Sequence, residues 1–294
     1  MKISLFSFLR NGVKLGYPFE ESIQSAMPLA DEFVIALGPS DADEQGGTRA
    51  VLQRLQAEHA KLRVIEVQWN ETMKTKGFVY GQQKMLAQSQ CSGDWAFYLE
   101  ADEVLHEEDL DQIDTAMRRH LLNPSVEALV FDYHHFFGSP QWLAKSPGWY
   151  RRAPRIIRNN LRVVALDGLF WNVVESNQRL RWPRAALAQG RVFHYGHVRP
   201  IEAMNQKQHA VERYWDKAPK DFKRYDIDPE VLVRFEGRHP AVMASWLTVR
   251  ANPDFQPDAS HTLTSRERRH RMARQLENWF GLDLSRKHFR LVED

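Results

Sequence analysis

Gly93-Asp94-Trp95-Ala96-Phe97-Tyr98-Leu99-Glu100-Ala101-Asp102-Glu103 is the stretch of this 294-residue chain whose reading decides the fold. Five apolar residues, Trp95 to Leu99, follow a Gly-Asp pair and stop abruptly at three acids. A short continuous apolar run bounded by turn signals reads as a strand buried on both faces, the kind found in parallel sheets covered by helices. Carboxylates crowded at the end of such a strand repel one another unless a cation or a basic partner sits among them. A hard divalent ion that bridges phosphate oxygens is one solution. A solvated acidic cap on the next helix, favoured by the helix dipole, is the other.

Working outward, short apolar runs alternate with amphipathic ones, the pattern of βαβ units. Strands are expected at Ile3 to Phe8, Phe33 to Leu37, Leu62 to Val67, Trp95 to Leu99 and Val126 to Phe131. Helices are expected from Pro18 to about Met27, Thr48 to about His59, Phe78 to Ser89, and through Leu110, Ile113, Met117 and Leu121. Crossover helices between parallel strands gather the loops at the strands' carboxyl ends, where open α/β sheets bind ligands. The second half is less regular. Arg155 to Ala165, with Asn159-Asn160 in its middle, reads as a hairpin with a two-residue turn. Arg191 to Tyr195 reads as a strand and Pro200 to Lys217 as a helix. Ser265 to Phe280 reads as a basic amphipathic helix with Met272, Leu276 and Phe280 on one face.

Composition excludes several classes. The chain is 43% apolar and 27% charged, so it folds. Its one cysteine, Cys91, rules out an intrachain disulfide framework and a multi-cysteine zinc module. No apolar run has the length of a membrane span, and Met1 to Leu9 reads as a first strand, not a signal peptide. The net charge of +2 hides a split: residues 1 to 140 carry 12 Lys and Arg against 21 Asp and Glu, and the remainder 28 against 17. The basic second half favours anionic ligands or surfaces.

Ile3 to Asn11, Pro18 to Ser22, Phe33 to Asp41, and Gly93-Asp94-Trp95 with Glu100-Ala101-Asp102-Glu103, in that order, resemble the bacterial family 2 glycosyltransferases of the GT-A fold. The likeness covers roughly residues 1 to 135 and continues more weakly to about 215. It implies an α/β, GT-A-like chain with a mostly parallel sheet, helices on both faces and a mainly helical C-terminal extension. Three segments follow from it: a nucleotide-sugar-binding half over 1–135, the acceptor-side half of the same catalytic domain over 136–215, and a basic, mainly helical extension over 216–294. The implied activity is metal-dependent, inverting transfer of a sugar from a nucleotide-sugar donor to an acceptor hydroxyl, in glycan or cell-surface polysaccharide synthesis.

The resemblance also implies site residues. Asp102 would hold Mn²⁺ or Mg²⁺ against the donor diphosphate, with Glu100 nearer the ribose or sugar. Arg10, Asn11 and Asp41 would edge the nucleotide pocket. Lys84 would face the diphosphate or stand as a solvated helix lysine. In Phe170-Trp171-Asn172-Val173-Val174-Glu175, Glu175 is the candidate general base, or else a surface acid paired with an arginine. His194, in His194-Tyr195-Gly196-His197, is a third metal ligand or a structural histidine. Three positions depart from the family pattern: Glu100 stands for an Asp, Ala36 for a base-reading acid, and Val174 for a His.

Aromatic residues at Phe136, Phe137, Trp142, Trp149, Tyr150, Phe170 and Trp171 suggest an acceptor platform where they are not core. Arg151, Arg152, Arg155 and Arg158 suggest partners for a diphosphate or an anionic acceptor. The expected partners are a nucleotide-sugar donor and a glycan or glycolipid acceptor, in the cytoplasm, with peripheral contact between the basic C-terminal helix and the inner membrane face. One competing reading is a sugar nucleotidyltransferase, which needs a Gly-rich basic loop after strand one that Ser7 to Gly16 lacks. Another is a non-catalytic binder of nucleic acid or an anionic surface; the acidic first half speaks against nucleic acid as the main partner.

Overall fold

The computed structural model describes every residue except 45, 216–219, 251, 253 and 293–294. Its first half runs β1 (Ile3–Leu9), α1 (Phe19–Ala26), β2 (Glu32–Leu37), α2 (Gly47–Glu58), β3 (Leu62–Glu66), α3 (Phe78–Gln88), β4 (Trp95–Tyr98), β5 (Glu103–Leu105) and α4 (Leu110–His120). Strands β6 (Ala128–Phe137), β7 (Ser139–Ala144), β8 (Arg152–Arg158), β9 (Val163–Val164), β10 (Asn172–Val174), β11 (Leu180–Arg181) and β12 (Arg184–His197) follow, then α5 (Ile201–Glu212). The last segment holds β13 (Leu232–Arg234), α6 (Ala244–Arg250), α7 (Ser265–Phe280) and β14 (Arg290–Leu291).

The α/β expectation holds, and the strands of the first half lie close to where the periodicity puts them. One sheet runs β13-β7-β6-β8-β4-β1-β2-β3, with β12, β5 and β14 joined to it through β6. Strands β3, β2, β1 and β4 are parallel, and the sheet is mixed beyond them because β8 lies antiparallel between β4 and β6. Helices cover both faces. Ile3, Leu5, Phe33 and Ile35 point to α1, α2 and α4 through Phe19, Ile23, Leu52, Leu55, Ile113 and Met117. Phe6, Val34 and Ala36 point to the other face, toward Ala87 of α3.

The Gly-Asp-Trp motif is a structural clasp. A side chain at Gly93 would meet the Lys2 carbonyl and Ser4 at 2.7 Å, so only glycine lets the chain enter β4 alongside β1. Asp94 accepts from the Lys2 N–H at 2.7 Å, and the Trp95 indole donates to the Met117 carbonyl at 3.2 Å.

The expected hairpin over 155–165 does not form. Strand β8 belongs to the main sheet, whereas β9 pairs with β10 in a separate three-stranded sheet. Asn159 is occupied elsewhere, its side chain donating to the Cys91 carbonyl at 2.8 Å. The helix expected from Pro200 is α5 and ends at Glu212; residues 216 and 217 of that expectation lie outside the described residues.

Helix α7 has the expected boundaries and carries a capping box between Thr264 and Glu267 and a left-handed Gly281 after its end. Its apolar stripe faces outward: Met272, Trp279 and Phe280 are 62%, 74% and 67% exposed. The inward face is ionic. Arg271 donates to both oxygens of buried Asp228, at 2.7 and 2.6 Å, and buried Glu277 accepts from Arg151 at 2.6 Å.

One buried cation ties the acidic turn to the rest. Arg155 of β8 is fully buried. Its guanidinium donates to both oxygens of Glu103 at 2.8 and 2.6 Å, to Glu100 at 2.8 Å and to the Leu169 carbonyl at 2.9 Å. The Tyr133 hydroxyl donates to Glu103 at 2.8 Å. Removing one partner of such a cluster leaves buried charge uncompensated. Arg155→Met is therefore expected to cost about 3–5 kcal/mol in urea unfolding, with part of the loss recovered in the double variant Arg155→Met, Glu103→Met. A cost indistinguishable from that of an exposed arginine would show that the cluster does not hold the turn.

Candidate functional site

A cavity of about 650 Å³ opens at the carboxyl ends of β1 and β4, the place where α/β sheets receive ligands, and its volume suits a small molecule. Arg10 and Asn11 come from the end of β1, Glu100 and Asp102 from the turn after β4, His194 from β12 and Lys207 from α5. Residues following α5, among them Tyr214 and Trp215, complete the wall.

Asp102 is the charge centre. It is buried and faces three cationic or basic groups: Lys207 Nζ at 2.8 Å, His194 Nε2 at 3.6 Å and Arg199 Nη2 at 3.8 Å. Burial alone would raise its pKa, but Lys207 and Arg199 hold the carboxyl well below the usual range. Glu100 behaves oppositely. Burial and the neighbouring Glu103 charge push it up to about 8, against the pull of Arg155. Burial brings Lys207 down to about 8, against the pull of Asp102. Gly196 earns its place sterically, since a side chain there would meet His194 Nε2 at 2.6 Å and Asp102 at 3.2 Å.

Behind His194 stands His135. Its Nε2 lies 2.9 Å from the Tyr150 carbonyl, and its Nδ1 lies 3.1 Å from His194 Nδ1. A carbonyl only accepts, so His135 Nε2 donates. Burial lowers the pKa of both rings; where both are neutral, the proton between the two Nδ1 atoms sits on His194, because His135 spends its own on Tyr150. That tautomer leaves His194 Nε2 as an acceptor on the cavity side.

At the other end, Arg10 reaches Asp41 at 3.1 Å, Glu71, and the Tyr214 hydroxyl at 3.0 Å. The Asn11 side-chain oxygen accepts from the Asp41 N–H at 2.9 Å, and Asn11 has φ of 54°, a left-handed conformation that Asn tolerates. Although burial raises it, Asp41 is held down at about 2 by Lys14, Asn11 and Arg10. Asp41 therefore braces Arg10 from outside the cavity lining. Phe8, Trp69, Tyr80 and Tyr214 form a contiguous aromatic wall beside Arg10.

Several expected residues are elsewhere. Lys84 neither faces the cavity nor meets solvent: it is fully buried, donates to the Leu169 carbonyl at 3.1 Å and lies 3.6 Å from the Trp171 ring centroid and 4.1 Å from that of Tyr98. Burial takes its pKa well below the usual lysine range. Glu175 does not line the cavity; it follows β10 and pairs with Arg181 at 3.2 Å, so the carboxylate singled out as base is remote from the other site groups. Arg151, Arg152 and Arg158 are likewise engaged, with Glu277, Asp132 and backbone carbonyls. Of the seven aromatics suggested as a platform, Phe137 alone lines the cavity. The groups that the sequence reading missed are Lys207 and Arg199. Lys207 looked like any helix lysine, and only the long-range placement of α5 brings it to Asp102 and the Gly196 carbonyl.

The donor set does not fit the expected metal. Asp102 already carries an ammonium on Oδ2, Glu100 is held by Arg155, and among the described residues no three His, Cys, Asp or Glu side chains converge on a common point. Asp102 and His194 leave two protein donors, and an ion between them would sit against the Lys207 ammonium already on Asp102, cation against cation.

No family model matches the chain, and no curated protein does. Solved structures of Staphylococcus aureus TarS show a distant likeness. TarS 1–349 is 14% identical, with a TM-score of 0.39, over 74% of this chain and 67% of that one. A longer TarS structure is 16% identical, with a TM-score of 0.40, over 72% of this chain and 39% of that one. TarS 1–349 in complex with UDP is 19% identical, with a TM-score of 0.35, over 54% of this chain and 47% of that one. At these scores the likeness carries no argument about the site.

Proposed function

We propose that the chain is an inverting glycosyltransferase that moves a sugar from a nucleotide-sugar donor to an acceptor hydroxyl of a glycan or glycolipid. The observation that carries this reading is the cavity at the carboxyl ends of β1 and β4. It joins an aromatic wall beside Arg10, which suits a nucleobase, to the Lys207 ammonium held on Asp102, which suits a diphosphate. In this reading Arg10 and Asn11 bind the nucleoside end and Glu100 lies toward the sugar. The acceptor oxygen bonds to the anomeric carbon as the bond to the diphosphate breaks. The hydroxyl proton passes to His194 Nε2, the outward acceptor of the His135–His194 pair. The nucleotidyltransferase alternative is less well supported, because Ser7 to Gly16 lacks a Gly-rich run and Lys14 is held by Asp41 and Asp43.

At least one nucleoside diphosphate from a panel of the common bases is expected to raise the melting temperature. His194→Ala should then keep that shift and slow turnover of the matching nucleotide sugar by about 10²–10⁴-fold. If none of the panel shifts the melting point, the reading fails; if His194→Ala keeps full turnover, the base assignment fails.

The same reading places the enzyme in the cytoplasm against the inner membrane face, through α7. Among the described residues no helix is long and apolar enough to cross a membrane. The exposed stripe of Met272, Leu276, Trp279 and Phe280 shares its face with Arg268 and Arg269. An apolar face with a tryptophan and flanking arginines complements an anionic bilayer. The full chain is expected to sediment with phosphatidylglycerol-containing vesicles and not with phosphatidylcholine alone, and Trp279→Ser with Phe280→Ser should weaken this by at least about tenfold. Failure to sediment, or self-association through the stripe in light scattering, would refute it.

A further inference from the structure

Asp102 stands where a metal ligand is expected, but the groups around it are those of an anion site. Lys207 Nζ donates to Asp102 Oδ2 at 2.8 Å and to the Gly196 carbonyl at 2.9 Å. An ammonium has three N–H groups, and Lys207 lines the cavity, so one donor is left for a ligand there. Arg199 is fully buried. It donates to the Gly196 carbonyl at 2.9 Å through Nη1, while its Nη2, 3.8 Å from Asp102, has no hydrogen-bond partner. A buried guanidinium nitrogen without a partner is costly in a finished structure. Both cations also pack on Tyr17, at 4.6 Å for Arg199 and 5.2 Å for Lys207, and Tyr17 lines the cavity. Two fixed positive charges thus face one carboxylate, and the surplus is positive.

We infer that Lys207, backed by Arg199, is the cation that binds the donor's diphosphate, and that the chain binds it without a divalent metal. The inference rests on the nucleotide-sugar reading above and specifies how its anionic half is held. Asp102 then acts as a positioning residue, fixing the ammonium and guanidinium in the geometry that a metal would otherwise supply. When the bond between the anomeric carbon and the diphosphate breaks, its electron pair stays on the β-phosphate oxygen. Lys207 meets that charge with its remaining N–H, and the acceptor's proton leaves to His194. A donor already positioned in this way stabilises such charge without reorganising as it forms.

The test is calorimetric titration of the nucleoside diphosphate panel into the full chain, with EDTA and again with Mn²⁺ or Mg²⁺. The wild-type chain is expected to bind at least one diphosphate in EDTA with an affinity within about threefold of that with metal. Lys207→Met should weaken this by about 30-fold or more, Lys207→Arg should restore most of it, and binding of the corresponding nucleoside without phosphates should not change. Binding that appears only with the divalent ion overturns the inference and leaves the transferase reading standing. No binding of any diphosphate under either condition overturns both. Should Lys207→Met fail to fold, the comparison of wild-type binding in EDTA and in metal decides by itself.

Discussion

The site depends on the burial of Arg155 among carboxylates. A guanidinium in the interior costs several kcal/mol unless its donors are matched, and here Glu103, Glu100 and the Leu169 carbonyl match them. The same contacts fix the acidic turn. Glu100 and Glu103 are drawn to the β8 side, and Asp102, between them in sequence, turns the other way toward β12 and α5. The Tyr195 N–H donates to the Asp102 carbonyl at 2.8 Å and anchors that arrangement to β12. Three acids that would repel one another in a solvated loop are thereby sorted into two separately compensated groups.

That sorting explains what was legible in the residues and what was not. The strands around Trp95 and the end of β4 follow from local pattern, because a parallel strand covered on both sides reads as an unbroken apolar run. The turn's acids were visible as a group needing cations. Which cations answer them was not, because Arg155, Arg199 and Lys207 arrive from three different elements through long-range pairing. The hairpin reading failed for a related reason: Arg155-Ile156-Ile157-Arg158 has strand character, but nothing in Asn159-Asn160 says that the strand pairs with β4 and β6 and not with β9. Lys84 shows the limit plainly. A lysine in an amphipathic helix is a surface residue by default, and its burial rests on the Leu169 carbonyl and the aromatic rings of Tyr98 and Trp171, all distant in sequence.

The charge split between the halves has a different physical meaning from the simple one. Much of the second half's positive charge is turned inward onto acids: Arg155 onto Glu100 and Glu103, Arg181 and Arg184 onto Glu127, Arg191 onto Asp109, Arg271 onto Asp228. Glu100, Glu103, Asp109 and Glu127 belong to the first half, so ion pairs join the two halves, while Arg271 and Asp228 pair within the second. Helix α7 belongs to the same pattern. Its periodicity specifies a stripe but not which side meets the core, and the ionic anchors at Asp228 and Glu277 turn the stripe outward.

Asp102 and Asp228 make an instructive contrast. Both are buried carboxylates met by arginine, yet Arg271 satisfies Asp228 with two short bonds and leaves the pair neutral. At Asp102 the geometry is incomplete: Lys207 keeps a donor, Arg199 stands at 3.8 Å with Nη2 unpartnered, and His194 presents an acceptor. A purely structural ion pair gains by closing those gaps, since every unmatched buried donor costs stability. A binding site gains by keeping them open, since the donors are then already desolvated and oriented when an anion arrives. Lys207 and His194 line the cavity, with Arg199 behind them against Asp102, whereas neither Asp228 nor Arg271 does, which is the contrast expected if the cavity, and not the fold alone, is what Asp102 serves.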